Sequence, residues 1–384
     1  MDLVYLDNNA TTKPAPEVVQ AMLPFLTDLY ANPSSVHRFG QLARQAIDEA
    51  RGQVAGLLGC AESELTFTGG GTEAINLVVR GLLAGRSPRR RVVTSTVEHS
   101  ATRELCVQLA REGAEIVQVP VSRQGELDMD RLATAVTDDT ALVTMLWANN
   151  ETGVLFPVDA VAAVCRAHKV PFHCDGTQAV GKVPANVKAL GVDSLTCAPH
   201  KFHGPKGVGV LYLRRGLRVR PMVIGGPQEN GRRGGTENVP GIIGAGKAAE
   251  LAGESLVKMA GVAALRDRLE AGILSRIAGA EVNGKGAARV PNTTNISFPH
   301  LEAEAILLLL SEQGIAASAG AACSSGSLEP SPVLLAMGIE ERLAHGAIRF
   351  SLSRYTTEAE VDRAVQVLPG VIGKLLAVLP VRAR

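Results

Sequence analysis

Leu65-Thr-Phe-Thr-Gly-Gly-Gly-Thr-Glu73 sets a β-prone run directly against three glycines and the start of a helical pattern that continues through Leu83. A strand that turns on glycine into a helix is the building unit of an α/β sheet with crossovers. The same alternation extends from about residue 64 to residue 213. Further strands are expected at Arg91–Ser95, Glu115–Val119, Ala141–Leu146, Val170–His173, Ser194–Cys197 and Val208–Leu213. Polar groups follow several of these runs: Thr72, Glu98-His99, Asn149-Asn150-Glu151, Asp175 and His200-Lys201. Ligands of open α/β sheets collect beyond the carboxyl ends of the strands, so these groups are expected to converge on one crevice.

Beyond about residue 250 the texture changes to helices with a few strands. Glu250 to Ile277 carries apolar residues at helical spacing, Pro291–Phe298 reads as a strand, and Glu302–Gln313 reads as a helix stopped by Gly314. Ala347–Leu352 reads as another strand. Thr357-Glu-Ala-Glu360 matches a capping box, and Pro369 is expected to end or kink the helix it opens. A smaller α+β domain accounts for this region, and the polar N-terminal strip is expected to return to it.

The chain has 384 residues, long for a single core. Its 46% hydrophobic and 20% charged residues describe an ordinary globular protein, and a net charge of +1 argues against broad electrostatic capture of nucleic acid or membrane. The start, Met-Asp-Leu-Val-Tyr-Leu-Asp-Asn-Asn, lacks the pattern of a signal peptide, and the apolar run Ala305 to Leu310 is far short of a membrane span. Cytoplasm is the expected compartment. Six cysteines, at 60, 106, 165, 174, 197 and 323, form no C-x-x-C pair, which disfavours a zinc site or a disulfide framework.

Chemistry concentrates in two stretches, Phe172-His-Cys-Asp-Gly-Thr-Gln178 and Pro199-His-Lys-Phe-His-Gly-Pro-Lys-Gly207. A carboxylate closing an apolar segment and a lysine in a Gly/Pro-bounded loop could form a pyridoxal phosphate site. The amine of Lys201 would hold the aldehyde as a Schiff base, and Asp175 would keep the ring nitrogen protonated. Gly69-Gly-Gly-Thr72 suits phosphate at a helix N-terminus and equally suits a permissive turn; no Gly-Lys-Ser/Thr follows to make a P-loop. His99 fits either a satisfied loop histidine or a stacking partner for a planar cofactor. Arg349, inside an apolar strand, needs an anionic partner: an internal carboxylate or a substrate carboxylate. Cys323 differs from the other cysteines because Ser318-Ala-Gly-Ala-Ala-Cys-Ser-Ser-Gly-Ser is small and polar, suited to a mobile loop and an accessible thiol.

These signals line up with one family. The chain resembles the cysteine desulfurases of the NifS/IscS group, fold-type I pyridoxal phosphate enzymes within the class-V aminotransferases. The resemblance covers nearly the whole length. It rests on Tyr5-Leu-Asp-Asn-Asn-Ala-Thr-Thr12, Asn32-Pro-Ser-Ser-Val-His37, Gly71-Thr-Glu-Ala74, Glu98-His99 and Asn149-Asn-Glu-Thr-Gly153. It continues through Asp175-Gly-Thr-Gln-Ala179, His200-Lys201, Gly204-Pro-Lys-Gly207, Arg233-Gly-Gly-Thr-Glu-Asn238 and Ala322-Cys-Ser-Ser-Gly-Ser327.

The resemblance implies an α/β fold with a large pyridoxal phosphate-binding domain over residues 13–255, built on a mostly parallel central sheet. A smaller α+β domain of residues 1–12 and 256–384 would carry the cysteine loop. Lys201 would carry pyridoxal 5'-phosphate, with His99 stacked on the ring, Asp175 at its nitrogen and Gln178 at its hydroxyl. Gly71, Thr72 and His200 would hold the phosphate, joined by Thr236 from the second subunit of a homodimer. Asn150 would reach cofactor or substrate, and Arg349 would take the substrate carboxylate with Asn8 and Asn9 nearby. L-Cysteine would become L-alanine, leaving a persulfide on Cys323 for an acceptor such as an iron–sulfur scaffold; the only metal contact implied is a transient iron–sulfur cluster there. Neither membrane nor direct nucleic-acid binding is implied.

One position departs from the family pattern. A serine often stands three positions before the lysine, where this chain has Ala198 followed by Pro199. A hydroxyl contact worth about 1 kcal/mol is missing, which bears on cofactor affinity and not on reaction type. The alternatives are a selenocysteine lyase or another pyridoxal phosphate-dependent β-eliminating enzyme, an aminotransferase, or a non-catalytic scaffold that keeps the fold.

Overall fold

The computed structural model describes residues 3–86, 88–319 and 329–378. Twelve strands occur among them: β1 (Val4–Tyr5), β2 (Leu65–Thr68), β3 (Arg91–Ser95), β4 (Glu115–Val119), β5 (Thr140–Leu146), β6 (Phe172–Asp175), β7 (Ser194–Cys197), β8 (Gly209–Leu213), β9 (Glu281–Asn283), β10 (Thr293–Ser297), β11 (Ile315–Ala316) and β12 (Ala347–Ser351).

A seven-stranded sheet runs in the order β2-β8-β7-β6-β5-β3-β4. The pairings β4–β3, β3–β5, β5–β6 and β6–β7 are parallel; β8 is antiparallel to both its neighbours. This is the mostly parallel central sheet that the strand–helix alternation predicts, and every one of its strands lies within two residues of its expected limits. β5 is buried at all seven positions, as expected for a central parallel strand covered by helices on both faces. Chain order reverses around β3: the chain steps outward to β4, then returns as β5 on the other side of β3. A crevice opens at such a reversal, beyond the carboxyl ends of the strands.

The remaining strands form a three-stranded antiparallel sheet, β12-β10-β9, and a parallel pair, β1-β11. The N-terminal strip thus lies along the C-terminal part of the chain, with Val4 opposite Ile315 and Asp7 bridging to Ser351. Apolar side chains gather in separate cores. One surrounds the seven-stranded sheet; another joins Val4 and Leu6 to Leu269, Ile296, Ile306, Ile348, Phe350 and Leu368. Residues Val333 to Ala347 contribute to the sheet core, from late in the sequence.

Two helical expectations differ from the structure. The helical spacing over Glu250 to Ile277 belongs to two helices, Val239–Ser255 and Met259–Leu274, joined by a 3₁₀ turn at Leu256–Lys258. The capping box forms, with Thr357 N donating to Glu360 Oε2 at 2.7 Å, but the helix Glu358–Val378 runs on through Pro369. Proline at 369 removes the N–H that would bond Val365 O, and Arg276 Nη1 donates to that carbonyl at 3.2 Å instead.

Candidate active site

A cavity of about 230 Å³ opens where the strand ends converge, lined by Gly71 and Thr72 after β2, His99 after β3, Asn150 after β5, Asp175 and Gln178 at the end of β6, and His200 and Lys201 after β7. Five strand ends deliver side chains to one volume because the strands run the same way and the chain reversal lies beneath them.

Lys201 closes a single 3₁₀ turn, Pro199–Lys201. Its Nζ donates to the carbonyls of Asn9 at 2.6 Å and Ala10 at 2.8 Å. The N-terminal strip also laces the turn from outside: Thr12 Oγ1 donates to His200 O at 2.9 Å, and His203 N donates to Thr12 Oγ1 at 2.7 Å. His203 adopts φ 72°, a left-handed conformation unusual for a residue with a side chain, and these contacts hold it there. Gly204 then turns so close to Pro199 that a Cβ on it would lie 2.7 Å from the proline Cβ.

His99 caps the helix Ser100–Arg111, its Nδ1 accepting from Ala101 N at 3.1 Å. A neutral His99 ring therefore carries its proton on Nε2. Asp175 Oδ1 accepts from Thr177 N at 3.0 Å. Gln178 Nε2 donates to Asn9 O at 2.9 Å, and its Oε1 accepts from Lys182 Nζ at 2.8 Å. His200 Nδ1 lies 3.1 Å from Thr11 Oγ1; burial, with Lys201, Lys206 and Lys182 adding repulsion, brings its pKa down to about 4, so the ring is neutral at neutral pH.

Three expected residues lie off the cavity wall. Arg349 is only 2% exposed; its Nη2 pairs with Asp7 Oδ1 at 2.6 Å and its Nη1 donates to Asn150 O at 3.1 Å. Arg349 thus sits directly behind Asn150, with Asp7 as its anion. Asn8 points its amide away, to the carbonyls of Tyr5 and Ser351. Thr236 lines a separate hollow with Gly69, Arg233 and Glu237. Cys323 lies outside the described residues.

Further groups shape the cavity; the sequence marks Glu98 among them only as a polar residue beside His99, and gives Lys182 and Thr177 no role. Lys182 is buried and donates to Asn9 Oδ1 at 2.9 Å as well as to Gln178. Burial, then the charges of Lys201 and Arg349, hold its pKa well below the usual lysine range. Its only signal is a lysine in the apolar run Ala179-Val-Gly-Lys-Val183. Glu98, buried beneath the site, accepts from Ser95 Oγ at 2.5 Å and from Leu146 N at 3.0 Å. Burial nonetheless raises its pKa to about 8. Thr177 stands within the quoted Asp175–Gln178 run, yet only the structure puts it in the cavity wall.

The signature of aminotransferase class-V proteins matches residues 4–364. This chain belongs to the class-V aminotransferase family. It is 52% identical to cysteine desulfurase 2 of Trichormus variabilis over 99% of this chain and 96% of that protein. It is 51% identical to the cysteine desulfurase NifS of Azotobacter vinelandii over 98% of this chain and 94% of that one. Among solved structures it superposes on a NifS-like protein with a TM-score of 0.92 at 37% identity, covering 97% of this chain and all of the other. SspA in complex with cysteine superposes with a TM-score of 0.82 at 32% identity, over 92% of this chain and 99% of that one.

The chain is an enzyme of this family, and its cofactor is pyridoxal 5'-phosphate. The cavity residues fit that group. A helix N-terminus without intrahelical acceptors suits the phosphate, a lysine amine suits the aldehyde, and a carboxylate suits the ring nitrogen. One buried hydroxyl in the wall, Thr177 Oγ1, has no protein partner among the described residues, as a ligand-binding atom would.

Proposed function

We propose that this enzyme is a cysteine desulfurase that converts L-cysteine to L-alanine and takes the sulfur onto Cys323 as a persulfide. The observation that carries the reading is the convergence of Lys201, Asp175 and His99 on one cavity, in a chain half identical to cysteine desulfurases along its length. When bound, pyridoxal phosphate holds the substrate amine and draws electrons from Cα, which weakens the Cβ–S bond.

The residues divide the remaining work. Lys201 would hold the cofactor aldehyde, and its amine, when free, would take the Cα proton. Asp175 keeps the ring nitrogen protonated. His99 would stack on the ring, and Gln178 would donate its amide to the ring hydroxyl. Gly71, Thr72 and the neutral His200 bind the phosphate, with Thr236 of the partner subunit. Asn150 contacts substrate or cofactor; Arg349, placed behind it, would exchange Asp7 for the substrate carboxylate, with Asn8 nearby. The Cys323 thiolate attacks the substrate sulfur, forming the S–S bond as the Cβ–S pair passes to carbon; a proton taken up at Cβ and the return of the Cα proton from the Lys201 amine complete alanine.

The five cysteines among the described residues suit that step poorly. Burial pushes the thiols of Cys60, Cys106 and Cys165 up to about 12 and raises those of Cys174 and Cys197 as well. Cys323 then passes its sulfur to an acceptor protein, proposed to be an iron–sulfur scaffold. We assign residues 13–255 to the cofactor-binding domain, residues 1–12 and 256–384 to the smaller one, and place the enzyme in the cytoplasm as a homodimer. No helix among the described residues is long and apolar enough to cross a membrane.

Mass spectrometry after incubation with L-cysteine tests the reading: one extra sulfur on Cys323, formed with an equal amount of alanine, is expected. Cys323→Ser keeps the visible absorbance of the bound cofactor and exchange of the substrate Cα proton with solvent deuterium, but releases no sulfide. Sulfide and alanine formed by that variant at the parent rate would remove Cys323 from the mechanism.

A further inference from the structure

The wall of the cavity contains a hydroxyl that the proposed chemistry leaves without a task. Thr177 Oγ1 is shut off from solvent and has no hydrogen-bond partner among the described residues. A buried hydroxyl left unbonded is unfavourable, so a ligand atom is the natural partner in a cavity wall. Its surroundings say which atom. An ideal Cβ built on Gly71 would lie 3.5 Å from Thr177 Oγ1, 3.6 Å from Ala198 Cβ and 3.9 Å from Thr196 Cγ2. Gly71 begins the helix Gly71–Ala84, whose first internal bond runs from Ala74 N to Gly70 O at 3.1 Å. The N–H groups of Gly71, Thr72 and Glu73 therefore lack an intrahelical acceptor and, with the helix dipole, favour an anion.

Of the three side chains facing Gly71, two present methyl groups. Ala198 has nothing else to offer, and the Thr196 hydroxyl is turned away, 3.0 Å from His173 Nε2. Of these three, the Thr177 hydroxyl is the group able to meet an anion there, beside Thr72 and His200. We infer that Thr177 binds the cofactor phosphate through Oγ1 and supplies, from the end of β6, the hydroxyl that the Lys201 turn lacks at Ala198. The inference rests on the pyridoxal phosphate reading of the cavity and adds to it a phosphate ligand from the turn that follows β6, between Asp175 and Gln178. One β6 terminus would then meet the cofactor at its phosphate, ring nitrogen and ring hydroxyl, so the three contacts set its position together.

The test compares pyridoxal phosphate with pyridoxal, which lacks the phosphate, in binding titrations of cofactor-stripped protein followed by absorbance. Thr177→Val keeps the volume and removes the hydroxyl. It is expected to weaken pyridoxal phosphate binding about ten- to hundredfold, the size of one hydrogen bond to a charged group, and to leave pyridoxal binding unchanged. Thr177→Ser retains tight binding, and adding Ala198→Ser to Thr177→Val restores it, because both hydroxyls reach the same volume. Thr177→Val binding pyridoxal phosphate as tightly as the parent, or losing both compounds equally, would overturn the assignment. A parent chain that takes up no pyridoxal phosphate would instead overturn the reading of the cavity, and this assignment with it.

Discussion

Glu98 shows how far burial can move a group whose partners all favour its charge. Ser95 Oγ and the N–H of Leu146 both donate to it, which stabilises a carboxylate, yet desolvation outweighs them, Asp175 adds repulsion, and the pKa rises to about 8. The consequence for stability has a definite sign. Between the ordinary value of 4.5 and about 8, the folded chain holds a proton that the unfolded chain releases, so this group lowers stability as pH rises through that window and has no further effect above it. Glu98→Gln keeps the shape and removes the titration. Urea melts across that window should show the variant losing less stability than the parent, by a few kcal/mol; parallel curves would place the Glu98 pKa near its ordinary value. The sequence shows Glu98 only as a polar residue before His99. Its protonation depends on neighbours delivered by β5 and β6, which no local pattern reveals. The same holds for Lys182 and Thr177, which look like ordinary members of a buried run until Asn9 and Gly71 are brought against them.

At the scale of elements, the parallel sheet is readable because each strand is a short apolar run punctuated by a polar or glycine-rich end, and those ends carry the chemistry. The lacing of the Lys201 turn is not readable, since its partners Asn9 to Thr12 lie almost two hundred positions away and bond largely through backbone atoms. The break at Leu256–Lys258 is hidden as well: apolar spacing continues across it, so the short switch to 3₁₀ geometry leaves no mark on the periodicity. Pro369 is misleading for a related reason. It lacks its N–H, but Arg276 from the turn after the helix Met259–Leu274 takes the freed carbonyl, a tertiary repair invisible to local rules. The Lys201 turn offers a direct test of how tightly an element can be drawn. Gly204→Ala puts a Cβ 2.7 Å from Pro199 Cβ, 2.9 Å from its carbonyl oxygen and 3.0 Å from Ala248 Cβ. The backbone must give way, and such overpacking typically costs about 1–3 kcal/mol, so a loss of that size is expected. Because the turn carries Lys201, cofactor occupancy should fall with it. A variant with parent stability and full visible absorbance would mean that the turn tolerates displacement.

At the scale of the whole molecule, Thr236 presents a geometric question. It lines a hollow of its own with Arg233 and Glu237, away from the cavity that holds Lys201. The homodimer proposed above would bring Thr236 to the other subunit's phosphate. The proposal makes a prediction that no arrangement within one chain can imitate. Lys201→Ala destroys one site through its own subunit, whereas Thr236→Val should weaken the site of its partner. In a heterodimer of the two variants, one site suffers both changes and the other none. Half the sites should then bind pyridoxal phosphate with parent affinity, although neither homodimer has any such site. If Thr236 served its own subunit, every intact Lys201 would share its site with the Thr236→Val substitution, and mixing would restore nothing; titrating the purified heterodimer with cofactor decides between the two.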